Sequence, residues 1–419
     1  MSNLHPFEPE TWPFSIADLP PGGYLVGGAV RDGLLHRNKN HWDLDIILPD
    51  DVIPYAQKLA QKYHTGLVIL DAERRIVRLI FPQMTLDLCQ MCGQDVTTDL
   101  SQRDFTINAL AWNYQTQEFY DPHHGQKDLE NRLIRMIHPH NLRHDPLRLF
   151  RAYRLAAQLE LTIETQTHQT IKTLAPSLAD VAPERVQNEL HLLLDNPLGG
   201  NYLIQAWSDG ILTPWFPGVE SYWLQLLLRW DGLWFSYPEL APELHKKIRQ
   251  DRSVLHLLKL RSLLPEHREG AQQILTRLRY SRAEIQYIDK LITLWPVFER
   301  LITVPEPPIS AQFDLFQQAG QALPGLLAIA LVHDYGWPVV AGWLERFTNP
   351  QDPVAHALPL VSGHDLIERL HLPPGPQVGQ LLRWLALAHA EGRISTPTAA
   401  LELAAILQGA VPVPSDRTV

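Results

Sequence analysis

The chain has 419 residues, 45% hydrophobic and 20% charged, the balance of a globular protein long enough for two or more domains with real cores. Its net charge of −10 excludes a protein that is basic all over, but leaves room for local basic patches that grip nucleic acid. No run of about 18 uninterrupted apolar residues occurs, so no membrane span is expected. Residues Met1 to Pro21 are acidic and proline-rich, without the basic-then-apolar order of a signal peptide, and a cytoplasmic enzyme is the expectation. In chain order, Tyr24–Val26, Leu44–Leu48, Gly66–Leu70, Ile76–Phe81 and Thr85–Cys89 read as short β-strands, with helical spacing over Asp51–Tyr63 between them. From about Asn141 the pattern turns helical. Leu147, Phe150, Arg151 and Arg154 share a long helix that Pro146 can start, and Leu190–Leu194, Leu224–Leu228, Leu255–Leu264 and Ile274–Ile292 continue the theme. Proline clusters near Pro305–Pro308 and Pro373–Pro376 divide the helical part.

Two basic clusters stand out. Arg132, Arg135, Arg143, Arg148, Arg151 and Arg154 form one. The other runs from Lys246 to Arg282, where only Asp251, Glu266 and Glu269 oppose the positive charge. The two cysteines, Cys89 and Cys92, form a C-x-x-C with no second pair to complete a zinc site, so two reduced thiols are expected.

The strongest local signal is Gly27-Gly28-Ala29-Val30-Arg31-Asp32, an apolar strand turning through two glycines into a helix. Glycines at such a junction let the backbone approach a bound group closely, and the N–H groups of the helix start suit a triphosphate. A Gly-Gly pair alone is equally a tight turn. Asp43-Leu44-Asp45 sharpens the reading. Residues two apart on a strand point to one face, while Leu44 faces the core. Two neighbouring carboxylates repel unless a cation sits between them, and oxygen ligands of this kind suit Mg²⁺. Such metals activate an attacking hydroxyl and stabilise a leaving pyrophosphate. Asp87, in the run Thr85-Leu86-Asp87-Leu88, is a candidate third carboxylate; the alternative is an edge-strand aspartate.

These motifs together resemble the active-site signature of the DNA polymerase β superfamily, and in detail the class II tRNA nucleotidyltransferases and bacterial poly(A) polymerases. Further matching blocks are Arg103-Asp104-Phe105-Thr106-Ile107-Asn108-Ala109-Leu110, Asp145-Pro146-Leu147-Arg148 running on to Arg151 and Arg154, Glu184-Arg185 with Glu189-Leu190, and Gly363-His364-Asp365-Leu366 near the end. The resemblance implies an α+β protein: a nucleotidyltransferase head with a mixed β-sheet over residues 1–138, a helical neck that reads the base over 139–200, and a helical body and tail that bind tRNA over 201–419. It implies that Asp43 and Asp45 carry the metals, and the nucleotide is expected on Gly27, Gly28, Arg31, Asp32, Arg103, Asp104, Asn108, Asp145, Arg148, Arg151 and Arg154, with Asp87 kept as the candidate third catalytic carboxylate. Arg103, Asp145 and Arg148 match the residues that read the incoming base, and Asp104 and Asn108 would hold the ribose and order the site. A carboxylate accepts from an exocyclic amine and a guanidinium donates to a ring acceptor, so such a pair selects cytosine or adenine over uracil and guanine. Taken alone, Asp145 before Pro146 is also a helix cap.

The chain departs from the family at His36 (usually Gly), Gln102 (usually a second Arg) and His144 (usually Glu), and its Arg37–Asp43 connection is longer. A larger departure lies between Asp87 and Asp99, separated by only eleven residues, where members that complete CCA carry a longer loop. That shortening resembles the CC-adding subgroup. The expected partners are the tRNA 3′ end, CTP and, in the alternatives, ATP, with a second nucleotidyltransferase finishing the same tRNA. Full CCA addition, A-addition or poly(A) synthesis, and a noncatalytic RNA-binding protein on the same fold are the alternatives.

Overall fold

The computed structural model describes residues 5–37, 39–219, 221–249 and 252–408, with only the backbone of Trp234. Asp251, one of the three acids set against the second basic run, lies outside the described residues. The chain divides into two compact units, Met1–Pro217 and Gly218–Val419. The expected head–neck and neck–body boundaries, after residues 138 and 200, both fall inside the first unit.

The first unit is built on β1 (Tyr24–Val26), α1 (Gly28–Leu34), β2 (Trp42–Leu48), α2 (Val52–Tyr63), β3 (Gly66–Asp71), β4 (Ile76–Phe81), β5 (Met84–Gln90) and α3 (Val96–Ser101). Two short strands, β6 (Ala111–Trp112) and β7 (Phe119–Tyr120), were not legible in the sequence, because two residues show no alternation. The sheet has seven strands in the order β3-β4-β5-β2-β1-β6-β7. It is mixed: β2 and β5 run parallel and the other neighbours antiparallel. Alternation sorts its two faces. Trp42, Leu44, Ile46 and Leu48 are buried on one. On the other, Ile47 packs with Val26, Val96, Leu100, Ala109 and Ala111, beyond the end that carries Asp43 and Asp45.

The chain continues through α4 (Gly125–Glu130), β8 (Leu133–Ile134), α5 (Pro139–His144), α6 (Leu147–Leu159), β9 (Thr162–Ile163), α7 (Thr165–Leu174), α8 (Pro183–Leu194) and α9 (Gly199–Ser208). α6 packs on α8 and α9 through an apolar stripe that includes Leu149, Phe150, Tyr153 and Ala156, all buried. That stripe leaves Arg148, Arg151 and Arg154 on the opposite side, half-buried and facing the sheet-borne residues described below.

The second unit contains α10 (Ser221–Ser236), α11 (Ala241–Leu244), a hairpin of β10 (Lys247–Arg249) and β11 (Arg252–Ser253), α12 (Val254–Arg261), α13 (Arg268–Arg277), α14 (Arg282–Ile302), α15 (Ile309–Ala319), α16 (Leu323–Val332), α17 (Trp337–Thr348), α18 (Gly363–Leu370), α19 (Pro376–Ala390) and α20 (Pro397–Gln408). The helix expected over Ile274–Ile292 is two helices. Arg279 has a φ of 61°, and Ser281 then starts α14 with a capping box to Glu284. The stretch Ile309–Val332 is long and apolar enough to cross a membrane, yet 78% of its apolar 18-residue window is buried inside the fold, and α16 is a core helix. Tertiary contacts also change the second basic run. Arg252 pairs with Glu284, Arg268 with Asp289, Lys246 with Glu243 and Lys259 with Asp231, while Arg261 is buried over the Trp223 ring. Much of the positive charge counted in the sequence is therefore neutralised by acids from outside or beside the run.

Candidate active site

β1 and α1 meet at Gly27, whose φ of 71° and ψ of −132° belong to glycine alone. A Cβ there would lie 3.0 Å from Arg103 Nη1 and 3.6 Å from Asp45 Oδ2. The position needs glycine for its backbone and for the guanidinium packed against it. Gly28 and Ala29, in the first turn of α1, line a cleft of about 570 Å³ with Arg31, Asp32, Asp43, Asp45, Arg103, Asp104, Asn108, Arg148, Arg151 and Arg154. Of the expected site residues, Asp87 and Asp145 do not line it.

The β2–β5 register sets Asp45 directly beside Asp87 and Asp43 beside Thr85, so all three carboxylates share one face. Asp43 is exposed and Asp45 half-buried. Burial, then the charges of Asp87 and Asp43, push the Asp45 carboxyl up to about 6, against the pull of Arg103. Neighbouring carboxylates destabilised in this way fit a divalent cation, which would lift the repulsion. Asp87 is not on an edge strand, since β5 lies between β4 and β2. Both its oxygens accept from Arg78, Nε to Oδ1 and Nη2 to Oδ2, each at 2.8 Å. Its charge acts on Asp45, while its lone pairs are shared with β4.

A continuous set of charged hydrogen bonds crosses the cleft floor. Arg31 donates Nε to Asp32 Oδ1 at 2.8 Å and Nη1 to Asn108 Oδ1 at 2.6 Å. Asn108 Nδ2 donates to Asp104 Oδ1 at 3.0 Å, and Arg151 Nη1 donates to Asp104 Oδ2 at 3.1 Å. Arg151 Nε and Arg154 Nε donate to the two oxygens of Glu189 at 3.0 and 2.5 Å. Asp32 is fully buried, and Lys39 completes its pairing. Burial would raise the carboxyls of Asp32 and Asp104, but their guanidinium partners hold both below the usual range. The Asn108 amide thus links Arg31 to Asp104, using one N–H and one lone pair and leaving one of each, and Asp104 in turn holds Arg151.

Asp145 follows α5 in an extended conformation, with φ −132° and ψ 91°, and so sits outside the helix that carries Arg148. Among the described residues its side chain caps no backbone N–H: Pro146 is the N-cap of α6 and makes no side-chain cap. Asp145 Oδ2 instead accepts from Arg185 Nη2 at 2.8 Å and lies 3.8 Å from Arg148 Nε. Burial pushes its carboxyl up, but Arg185, Arg151 and Arg148 outweigh this and keep it low. Asp145, Arg148 and Arg185 line a second cavity of about 480 Å³ with Cys89, Met91 and His144; Cys92, Gln102 and Arg148 line both.

The connection from β5 to α3 is only Met91–Asp95. Asp95 caps α3 at Thr98 N (2.7 Å), and Asp99 Oδ1 accepts from Cys92 N at 2.9 Å. The other Asp99 oxygen accepts from Arg103 Nη2 at 3.1 Å, so one carboxylate ties the short connection to a cleft arginine. Both cysteines are free, and burial, then the charges of Asp45 and Asp87, push the Cys89 thiol up to about 12.

Reasoning from sequence gave Arg78, Lys39 and Asp99 no place in the site, and named Arg185 and Glu189 only as part of a matching block, without a role. Two carried a readable signal. Asp99 and Arg103 are four apart, the spacing of a helical ion pair. The tight β4–β5 hairpin pairs Phe81 with Met84, and counting back from it pairs Arg78 with Asp87. Lys39, Arg185 and Glu189 reach the site only through tertiary packing.

Family models match in the expected order: the poly(A) polymerase head domain over residues 23–95 and 83–135, a probable RNA- and SrmB-binding site of polymerase A over 160–222, and a putative second domain of tRNA nucleotidyltransferases over 256–405. The CC-adding tRNA nucleotidyltransferase of Synechocystis sp. is 37% identical over 401 residues, covering 94% of this chain and 95% of the relative. The chain belongs to the tRNA nucleotidyltransferase family. An A-adding family member from Deinococcus radiodurans is 31% identical, covering 91% and 94% of the two chains. The fold of this nucleotidyltransferase is that of solved CCA-adding enzymes. One with ATP superposes with a TM-score of 0.74 at 20% identity, covering 93% of this chain and 91% of that one. The Thermotoga maritima enzyme with tRNA gives 0.71 at 20% identity, covering 92% and 91%.

Proposed function

We propose that this nucleotidyltransferase adds CMP from CTP to the 3′ end of tRNA and stops at CC. The observation that carries the stopping point is the β5–α3 connection. Met91–Asp95 is short, capped by Asp95 and pinned through Asp99 to Arg103. A site that is to accept CTP and then ATP must rearrange, and this connection has neither the length nor the free carboxylate to let Arg103 move. The similarity to a CC-adding relative over nearly the full chain supports the same reading.

In this reading the tRNA 3′ hydroxyl attacks the α-phosphate of CTP and pyrophosphate leaves. Asp43 and Asp45 would hold a divalent cation, Mg²⁺, with Asp87 adding charge beside them, and its chemistry there would be activation of the hydroxyl and neutralisation of the leaving group. Gly27 and Gly28 let the backbone come close to the triphosphate, and Arg31, fixed by Asp32 and Asn108, supplies positive charge there. Asp145 accepts from the cytosine amine and Arg148 donates to its ring acceptor. Arg151 and Arg154, braced by Glu189, stand along the neck side of the cleft. Most of the catalysis is positioning and charge stabilisation. Phosphate contacts from the helical body hold the tRNA without reading its sequence.

The test uses tRNA transcripts ending before CCA, at C and at CC, with Mg²⁺ and CTP, ATP or both, resolved on a sequencing gel. A ladder that stops at CC with ATP present is expected. Completion to CCA, or addition of A alone, would overturn the stopping point while keeping the family.

A further inference from the structure

Neither the metal-bearing strand nor the base-reading segment explains what holds Asp145. It projects from an extended residue between two helices; that residue's backbone N–H donates to the Asn141 carbonyl and its carbonyl accepts from Arg148 N, so the backbone is held while the side chain needs a partner of its own. The partner comes from α8. Arg185 Nη2 donates to Asp145 Oδ2 at 2.8 Å, and that oxygen is also the one nearest Arg148 Nε. No donor reaches Asp145 Oδ1 among the described residues. Arg148 is fixed at its other end, donating Nη1 to the carbonyls of Gln102 at 2.8 Å and Asn141 at 3.2 Å, while its buried Nε has no hydrogen-bond partner. A buried donor left unpaired beside a carboxylate with one uncommitted oxygen is a pair of groups awaiting a ligand. Both line the cavity of about 480 Å³, with Arg185 on its wall.

α8 carries a second brace one turn on. Glu189, four residues after Arg185, binds Arg151 and Arg154. One helix thus fixes the acid that reads the base and the arginines that line the cleft.

We infer that Arg185 is a positioning residue for base selection, turning Asp145 so that its free oxygen meets the exocyclic amine of the incoming base. The inference rests on the proposed reading of Asp145 and Arg148 as the base-reading pair. Its chemistry is a matter of sign. A carboxylate held by a guanidinium is an acceptor only, which suits the amine of cytosine and opposes the carbonyl of uracil. Without Arg185 the carboxyl can rotate or take a proton, and a protonated carboxyl can donate to a carbonyl. Loss of Arg185 therefore weakens cytidine addition and relaxes the bar against uridine.

The experiment measures kcat/KM for CTP and for UTP separately, on a tRNA transcript lacking CCA, for wild type, Arg185→Gln, Arg185→Lys and Asp145→Asn, with thermal unfolding of each. The CTP-to-UTP ratio is expected to fall roughly tenfold or more in R185Q, the loss of one charge-assisted hydrogen bond. R185K, which keeps the charge but loses the planar fork of donors, should fall less, by about threefold. A merely structural arginine would depress both nucleotides alike and leave the ratio unmoved. A wild-type ratio in R185Q and R185K, with D145N losing it, overturns the role of Arg185 alone. A wild-type ratio in D145N as well removes the base-reading pair itself. Should R185Q fail to fold, the R185K ratio decides, an unchanged ratio refuting the role.

Discussion

Replacing Asp45 with Asn should make the metal-free protein more stable while abolishing nucleotide addition. Asp45 is half-buried beside Asp87 and Asp43, and burial with those charges lifts its carboxyl from 3.8 to about 6. A shift of roughly 2 units corresponds to about 3 kcal/mol of destabilisation near neutral pH, since each unit is about 1.4 kcal/mol. The direction follows from proton uptake. Above pH 6 folded and unfolded chains are both ionised here and the full cost is present. As pH falls through about 6 toward 3.8 the folded state takes its proton first and the cost fades. In EDTA near neutral pH, D45N should therefore melt on the order of 5–10 °C above wild type in the unit that holds the site. The gap should close toward about pH 4, and millimolar Mg²⁺ should raise the wild type but not the variant. Calorimetry or circular dichroism across that pH range reads it directly. If D45N melts below wild type in EDTA, or if Mg²⁺ shifts both equally, the carboxylates are not a repelling cluster that awaits a cation.

Two further outcomes follow from the geometry. Gly27→Ala forces a side chain into a glycine-only conformation 3.0 Å from Arg103 Nη1, and should cost about 1–3 kcal/mol in urea unfolding together with most of the activity; wild-type activity would remove the argument for close backbone approach. Glu189→Gln leaves two buried-side guanidiniums without their shared charge, and should cost about 3 kcal/mol or more by thermal unfolding. A loss under about 0.5 kcal/mol would show that Glu189 does not brace the cleft.

Much was decided by the sequence alone. The five β-type runs of the head reappear as strands, because alternation on a half-buried sheet leaves a direct trace in residue order. Asp43 and Asp45 share a face for the same reason, and Gly27 sits where only glycine fits. The family was legible because its motifs are local: each is a few residues whose spacing is set by one turn or one helix start.

What the sequence could not decide depended on residues far apart in the chain meeting in space. What orients Asp87 turned on Arg78, which donates to both its oxygens from the neighbouring strand. Whether Asp145 caps a helix or faces a cavity turned on Arg185, forty residues away in the chain. The basic run from Lys246 to Arg282 looked opposed only by Asp251, Glu266 and Glu269 until Asp231, Glu284 and Asp289 folded against it. Local patterns record the backbone's own preferences, because turns and strands are held by neighbours. Charges act through space and are paired by whatever the fold brings near, so only the tertiary structure says which of them remain free to bind.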